Sequence, residues 1–394
     1  MCCLIILPFQ INLCINNFMK KLNKYTGNSP GAQHIGENEF KYLKDIVTKK
    51  SPYRYKSNNN FSYCDKFEKK FSKFINKKYS LLVSSGTAAI HCALATLKFK
   101  NNDEIILPAY GWSADLMGVI YTKFKPVFCP IDDKLGLDPK KLKSLISKRT
   151  KAVIAIHMRG QVCDILEIKK ICNKKNIFLL EDCSQCLGGS MGNKRVGSFG
   201  DVSTFSFQYN KLLTAGEGGL IATNDKKILE KMNDFQDLGM GRKFNSPDPV
   251  GIVHKDIGFN YHASDLTGGF LLGQFESFNK IYRNLNQNRN LLAKYLKKHF
   301  KKLSLEIIEP RKNSKSNNAF LVLRINNKKD EIKIKKFLNS QKIVANFCKD
   351  KDGHNFNTWM RFLKRMKVDY IDKTDKSSQN FLNKSLFIEI SSLK

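Results

Sequence analysis

The sequence opens without a usable membrane or export signal. Residues 1–18 (MCCLIILPFQINLCINNF) are apolar, but Pro8, Gln10 and Asn12 break them too often for a spanning helix. No basic residue precedes this stretch, and Lys20, Lys21 and Lys24 follow it, the reverse of a secretory signal. Met19 reads as an alternative start, which would make residues 1–18 an upstream reading artefact within an N-terminal extension over 1–29. A disulfide framework is missing as well. The 11 cysteines are odd in number and irregularly spaced, so they cannot all pair, and a reducing compartment fits them better than secretion. Cys183 and Cys186 form one C-x-x-C, yet no second pair and no nearby pair of histidines completes a zinc site, so no metal is expected. These absences point to a soluble cytoplasmic protein with no membrane partner.

Arginine is scarce, at 11 residues against 57 lysines within the 68 basic side chains. The formal charge of +33 first points toward nucleic acid. Lysine, however, is scattered from Lys49 through Lys77, Lys174 and Lys298 to Lys336, with no basic tail and no RNA-binding aromatic motif. Such scatter reads as compositional bias on a solvated surface, and no nucleic-acid partner is expected. The positive field would still draw anionic substrates. A non-catalytic basic binding protein is the reading left if no active site can be assembled.

What is present supports a large core. The chain has 394 residues and a 42% apolar fraction, enough for two domains. Short apolar runs at Tyr79–Ser84, Glu104–Leu107, Pro126–Cys129, Ala152–Ile156, Ile177–Leu180, Val202–Phe207 and Gly219–Thr223 read as strands. Amphipathic stretches near 87–99, 113–123, 138–147 and 164–174 separate the earlier ones. This alternation predicts an α/β large domain with a mostly parallel seven-stranded sheet flanked by helices, over 30–260. Gly239–Asn260 reads as a loop, and Ser264 to about Lys298 as one long helix. Strands near Leu303–Ile308 and Phe320–Ile325 and a helix near 330–339 predict a smaller α+β C-terminal domain over 261–394.

Three segments could carry chemistry. Ser84-Ser85-Gly86-Thr87-Ala88-Ala89 closes a strand and opens a helix, where small residues and the helix dipole suit an anion. Alone it is weak, since many such turns bind nothing. Phe178-Leu179-Leu180-Glu181-Asp182-Cys183-Ser184-Gln185 puts a carboxylate just past a buried strand, where open α/β sheets place ligands, although Asp182 could merely cap the next segment. Phe205 to Gly219 (FSFQYNKLLTAGEGG) sets Lys211 among apolar and small residues before a Gly-rich turn. Such surroundings depress an amine's pKa and make it a nucleophile toward a carbonyl.

In order and spacing, S-S-G-T-A, E-D-x-x-Q and S-F-x-x-x-K-x-L-T-x-G-E-G-G resemble the sugar aminotransferases grouped under DegT and StrS, of the aspartate-aminotransferase fold type. The likeness runs from about Pro30 to Ser392, through Pro108-Ala109-Tyr110-Gly111-Trp112, Lys125-Pro126-Val127-Phe128, Gly197-Ser198-Phe199-Gly200-Asp201 and Asn260-Tyr261-His262. It implies pyridoxal 5'-phosphate held by Lys211 as a Schiff base, with Lys211 also moving the proton. Asp182 would face the pyridine nitrogen, Gln185 the phenolic oxygen and Trp112 the ring face. Gly86, Thr87 and Ser206 would hold the phosphate, and Asn260 would reach it from a second subunit, which implies a homodimer with shared sites.

The implied reaction moves an amino group from glutamate or glutamine to a keto or aldehyde sugar for surface polysaccharide or lipopolysaccharide synthesis. Met158-Arg159-Gly160 and Asn346–Trp359 resemble the branch that aminates 3,8-dideoxy-octulosonate, while a nucleotide-linked keto-hexose fits as well. A sugar dehydratase on the same scaffold is the rival, but that branch carries His in place of the lysine found at Lys211. Two departures stand out. His262 replaces the usual Arg after Asn260-Tyr261, which would lose a charged contact, and one further helix usually follows the Leu386–Ile390 segment, so a truncated C-terminus is expected.

Overall fold

The computed structural model describes residues 29–55, 62–97, 100, 102–241, 254–341, 343–350 and 352–393. Residues 1–18 and Met19 lie outside them, as does most of the expected Gly239–Asn260 loop. The first elements are helices α1 (Glu37–Thr48) and α2 (Tyr63–Ile75), strand β1 (Tyr79–Val83) and helix α3 (Gly86–Ala95). Strand and helix then alternate through β2 (Glu104–Pro108), α4 (Ser113–Tyr121), β3 (Lys125–Cys129), α5 (Pro139–Leu145), β4 (Thr150–Ile156), α6 (Ile165–Lys175) and β5 (Phe178–Asp182). Short strands β6 (Ser190–Met191) and β7 (Lys194–Arg195) precede β8 (Val202–Ser206), β9 (Gly219–Thr223), α7 (Lys226–Gln236) and the long α8 (Asp265–His299). Polar side chains start these helices where the backbone needs them: Ser62, Ser85, Asp138, Asp225 and Ser264 each accept an amide of the first turn.

All seven expected strands form. They lie in an eight-stranded sheet ordered β1-β9-β8-β5-β4-β2-β3-β14, the added edge strand β14 being Ile371–Asp372 from the C-terminal part. Only β9 runs antiparallel to its neighbours. β2 and β9 are buried at every residue, as strands covered by helices on both faces should be. Chain order runs outward from β2 to β3 on one side and from β4 to β5 and β8 on the other. The switch point between β2 and β4 opens a crevice at the strands' carboxyl ends, the ordinary ligand position of such sheets.

After α8 come β10 (Leu305–Ile307), β11 (Ser314–Lys315), β12 (Phe320–Ile325), α9 (Lys328–Ser340), β13 (Ala345–Phe347), α10 (Phe356–Arg365), β14, α11 (Lys376–Lys384) and β15 (Ser385–Glu389). Four of these strands make an antiparallel sheet, β10-β12-β15-β13. Helix α8 anchors the N-terminal helices through close backbone approach. A Cβ at Gly273 would lie 2.6 Å from the Glu39 amide, and Gln274 Nε2 donates to Glu39 Oε1 at 2.7 Å. The chain end is tied back as well: Ser392 Oγ donates to the Pro30 carbonyl at 2.7 Å, and Asn284 Nδ2 donates to the Ser392 carbonyl at 2.7 Å.

Candidate active site

The crevice holds a cavity of about 570 Å³, lined by Gly86, Thr87, Trp112, Asp182, Gln185, Ser206 and Lys211 among others. Seven of the eight residues singled out from the sequence therefore share one wall system. They arrive from four separate strand ends, so only the fold could bring them together. Asn260 is the exception: it is exposed, outside the cavity of its own chain, and its backbone bridges to Asp237.

One end of the cavity is built for an anion. Ser85 caps α3, its hydroxyl accepting the Ala88 amide at 3.0 Å and its carbonyl the Ala89 amide at 3.0 Å. The amides of Gly86 and Thr87 come before those two and have no helical carbonyl to use, so they are left as donors at the positive end of the dipole. Ser206, the last residue of β8, presses against this turn. A Cβ on Gly86 would sit 2.8 Å from Ser206 Cβ, which is why glycine is required there.

Pleating sends the neighbours Glu181 and Asp182 to opposite faces of β5. Glu181 faces a scaffold. Its carboxylate accepts the amides of Gly197, Phe199 and Gly200 at 2.6, 2.8 and 2.7 Å, and also Nε2 of the buried His157 at 3.0 Å. Because His157 Nδ1 accepts the Cys163 amide at 3.1 Å, the imidazole proton sits on Nε2, facing the carboxylate. Burial alone would raise the Glu181 pKa, but His157 and the glycine amides outweigh it and hold the group at about 2. This network accounts for the Gly197–Asp201 segment of the sequence. Asp182 faces the cavity. Ser184 donates to its Oδ1 through both amide (2.9 Å) and hydroxyl (2.6 Å), which fixes the carboxylate's direction.

Lys211 lies in the loop between β8 and β9, half-buried, with Leu212 and Leu213 buried behind it. Its pKa is lowered, chiefly by burial and further by the charge of Arg159, while the charge of Asp182 pulls the other way. An amine in that balance is available as a nucleophile at lower pH than an exposed lysine. Trp112 stands at the rim, 48% exposed, and its ring meets the His354 ring at 4.7 Å between centroids. Gln185 Oε1 accepts the Arg159 amide at 3.3 Å, so its side chain is positioned as well.

Several wall residues carry no readable signal in the sequence. Asp115, in the first turn of α4, is fully buried, and neither carboxylate oxygen has a partner among the described residues. Burial first, and then the neighbouring charge of Asp182, push its pKa up and favour the neutral acid, which can donate to Asp182. Arg159 follows β4 in a left-handed backbone (φ 51°), and the sequence offers it only as the middle of the Met158-Arg159-Gly160 likeness. Asn317, Phe320, His354 and Glu389 close the cavity from the C-terminal part. Two further sequence features can be placed. His262 keeps a polar contact, with Nε2 2.7 Å from Asp237 Oδ1, so the position is not left empty by the loss of arginine. Cys183 and Cys186, like the other described cysteines, are buried and unbridged. Among the described residues no helix is long and apolar enough to cross a membrane.

The profile of the DegT/DnrJ/EryC1/StrS aminotransferase family matches residues 34–379. The GDP-perosamine synthase of Vibrio cholerae is 34% identical over 249 residues, covering 62% of this chain and 64% of that protein. An L-glutamine:2-deoxy-scyllo-inosose aminotransferase of Streptomyces kanamyceticus is 33% identical over 227 residues, covering 55% of this chain and 53% of that one. The chain thus spans between half and two thirds of the curated relatives it matches. Among solved structures, an E. coli GDP-4-keto-6-deoxy-D-mannose-3-dehydratase with bound hydrated PLP superposes with a TM-score of 0.78 at 25% identity, covering 92% of this chain and 94% of that one. The Helicobacter pylori aminotransferase PseC shares the fold, with a TM-score of 0.77 at 22% identity over 91% of this chain and 92% of its own.

Proposed function

This chain belongs to the DegT/DnrJ/EryC1/StrS aminotransferase family, and from that premise we propose that it is a pyridoxal-phosphate-dependent transaminase acting on a sugar. The observation that carries the reading is the meeting of Lys211, Asp182 and the Gly86–Thr87–Ser206 turn around one cavity. The donor set fits the cofactor. A turn with two unspent amides and a Ser hydroxyl suits a phosphate, a carboxylate fixed by Ser184 suits a protonated ring nitrogen, and a desolvated amine suits an aldehyde.

When bound, the cofactor supplies an electron sink for the reacting carbon. The protein's own residues do the rest. Lys211 provides the point of attachment and then carries a proton at Nζ to and from the substrate carbon. Asp182, oriented by Ser184, keeps a negative charge where a ring proton must be held, and Asp115 buttresses it. Trp112 and Gln185 orient the ring and its oxygen. The Gly86–Thr87 amides and Ser206 fix the far end, which sets the register of everything else.

The donor in this reading is glutamate or glutamine, and the acceptor a keto or aldehyde sugar of surface polysaccharide synthesis, either an octulosonate-type sugar acid or a nucleotide-linked keto-hexose. The enzyme works in the cytoplasm as a homodimer, with Asn260 of each chain reaching the partner's phosphate turn; its exposure outside its own cavity is compatible with that role. The division is into a cofactor domain over 30–260 and a smaller domain over 261–394. A dehydratase on this scaffold is the second reading, favoured by the likeness to the E. coli dehydratase structure; the lysine at Lys211 weighs against it.

Cofactor-loaded protein incubated with nitrogen-labelled glutamate and a panel of keto sugars tests this. Label in an amino sugar supports transamination. Deoxygenated sugar without label, or no product and no cofactor uptake, overturns it.

A further inference from the structure

Arg159 poses a problem that the reaction above does not solve. It is 4% exposed, yet it forms part of the cavity wall. Its guanidinium makes one hydrogen bond among the described residues, from Nε to the Tyr110 hydroxyl at 3.1 Å. Nη2 is buried without a hydrogen-bond partner among the described residues. A buried cation with an unsatisfied donor is costly, because its desolvation is not fully repaid. Stacking offsets part of that cost: the guanidinium carbon lies 3.7 Å from the centroid of Phe387 and 5.4 Å from that of Phe320.

The backbone is committed to this placement. Arg159 adopts φ 51° and ψ 41°, a left-handed conformation that non-glycine residues rarely adopt. Its amide is held by Gln185, and Gly160 follows at φ 74°. The same wall carries Lys211, and the carboxylates Asp182, Asp115 and Glu389 also face the cavity. Asp182 is engaged by Ser184, and the site for a phosphate is already provided at the Gly86–Thr87 turn. Arg159 is therefore a second anion position, planar and forked, a shape matched by a carboxylate.

We propose that Arg159 anchors a carboxylate carried by a substrate of this site, either the amino-acid donor or a sugar-acid acceptor. The inference rests on the transaminase reading for the identity of the cavity, but the contact itself can be measured without turnover. Calorimetry on cofactor-loaded protein would use 2-oxoglutarate and 2-keto-3-deoxyoctonate, each beside its methyl ester (for 2-oxoglutarate, the C1 ester). A charge-assisted pair lost in this setting should weaken binding by about 30-fold. The wild type should prefer at least one acid over its ester by about that factor. Arg159→Gln should erase the preference, and Arg159→Lys, which keeps the charge but not the fork, should keep part of it. A preference confined to 2-oxoglutarate assigns the group to the donor, and one confined to the octonate assigns it to the acceptor. Equal acid-to-ester ratios in wild type and in either folded variant would overturn the proposal, as would no preference in the wild type. Arg159-dependent acid binding in a protein that transfers no amino group would instead sink the transaminase reading alone.

Discussion

Replacing Asp182 by Asn separates charge from shape at the centre of the site. The substitution keeps an oxygen at the Oδ1 position, so both Ser184 donors, at 2.9 and 2.6 Å, retain their acceptor. Those bonds weaken because the acceptor is neutral, costing about 1 kcal/mol of stability. What disappears is the fixed negative charge facing the cavity. Removing one preorganised electrostatic contact of this type costs about 10²–10³ in kcat, or about 3–4 kcal/mol of transition-state stabilisation. The assay is steady-state transfer from glutamate to the best acceptor, with cofactor affinity measured separately and denaturant unfolding as the control for folding. The expected pattern is a loss of kcat of at least a hundredfold in a protein whose stability changes little. A folded, cofactor-saturated Asp182→Asn within fivefold of wild-type kcat would refute the role given to the carboxylate.

Gly86→Ala places a methyl group 2.8 Å from Ser206 Cβ; the turn must open, so cofactor affinity should fall about tenfold or more and stability by about 1–3 kcal/mol, read by titration of apoprotein and by unfolding. Glu181→Gln removes a group held at about 2 when folded, against an ordinary value near 4.3. The folded pKa is depressed, so the stabilisation is present above the ordinary value and is lost as pH falls through the folded one. It amounts to the order of 3 kcal/mol at neutral pH. The variant should be less stable by that order at pH 7 and show a flatter decline between about pH 4 and pH 2, measured by denaturant midpoints at each pH; an unchanged pH dependence would remove Glu181 from its scaffold role.

Much of the architecture was legible because it is local. Each strand of the large sheet is a short apolar run between a cap and a turn, and the phosphate turn, Asp182 and Lys211 all sit at strand ends, where periodicity breaks in a readable way. The eighth strand was not legible, since Ile371–Asp372 is two residues long and pairs with β3, some 240 positions away in sequence. The far wall failed for the same reason: Asn317, His354 and Glu389 reach the cavity only through the packing of the second sheet against the first. Asp115 reads locally as an acidic residue in a helix's first turn, a common and usually solvated choice. Its burial beside Asp182 depends on how α4 lies against α3, β2 and β3. The left-handed backbone at Arg159 has no glycine to announce it.

The account stands on the Lys211 amine meeting a carbonyl on the cofactor. Borohydride reduction of the cofactor-loaded protein, followed by proteolysis and mass mapping, should leave the phosphopyridoxyl mass on the peptide that contains Lys211, and Lys211→Ala should carry none. The same mass on a different lysine, or its persistence in the Ala variant, would contradict the account.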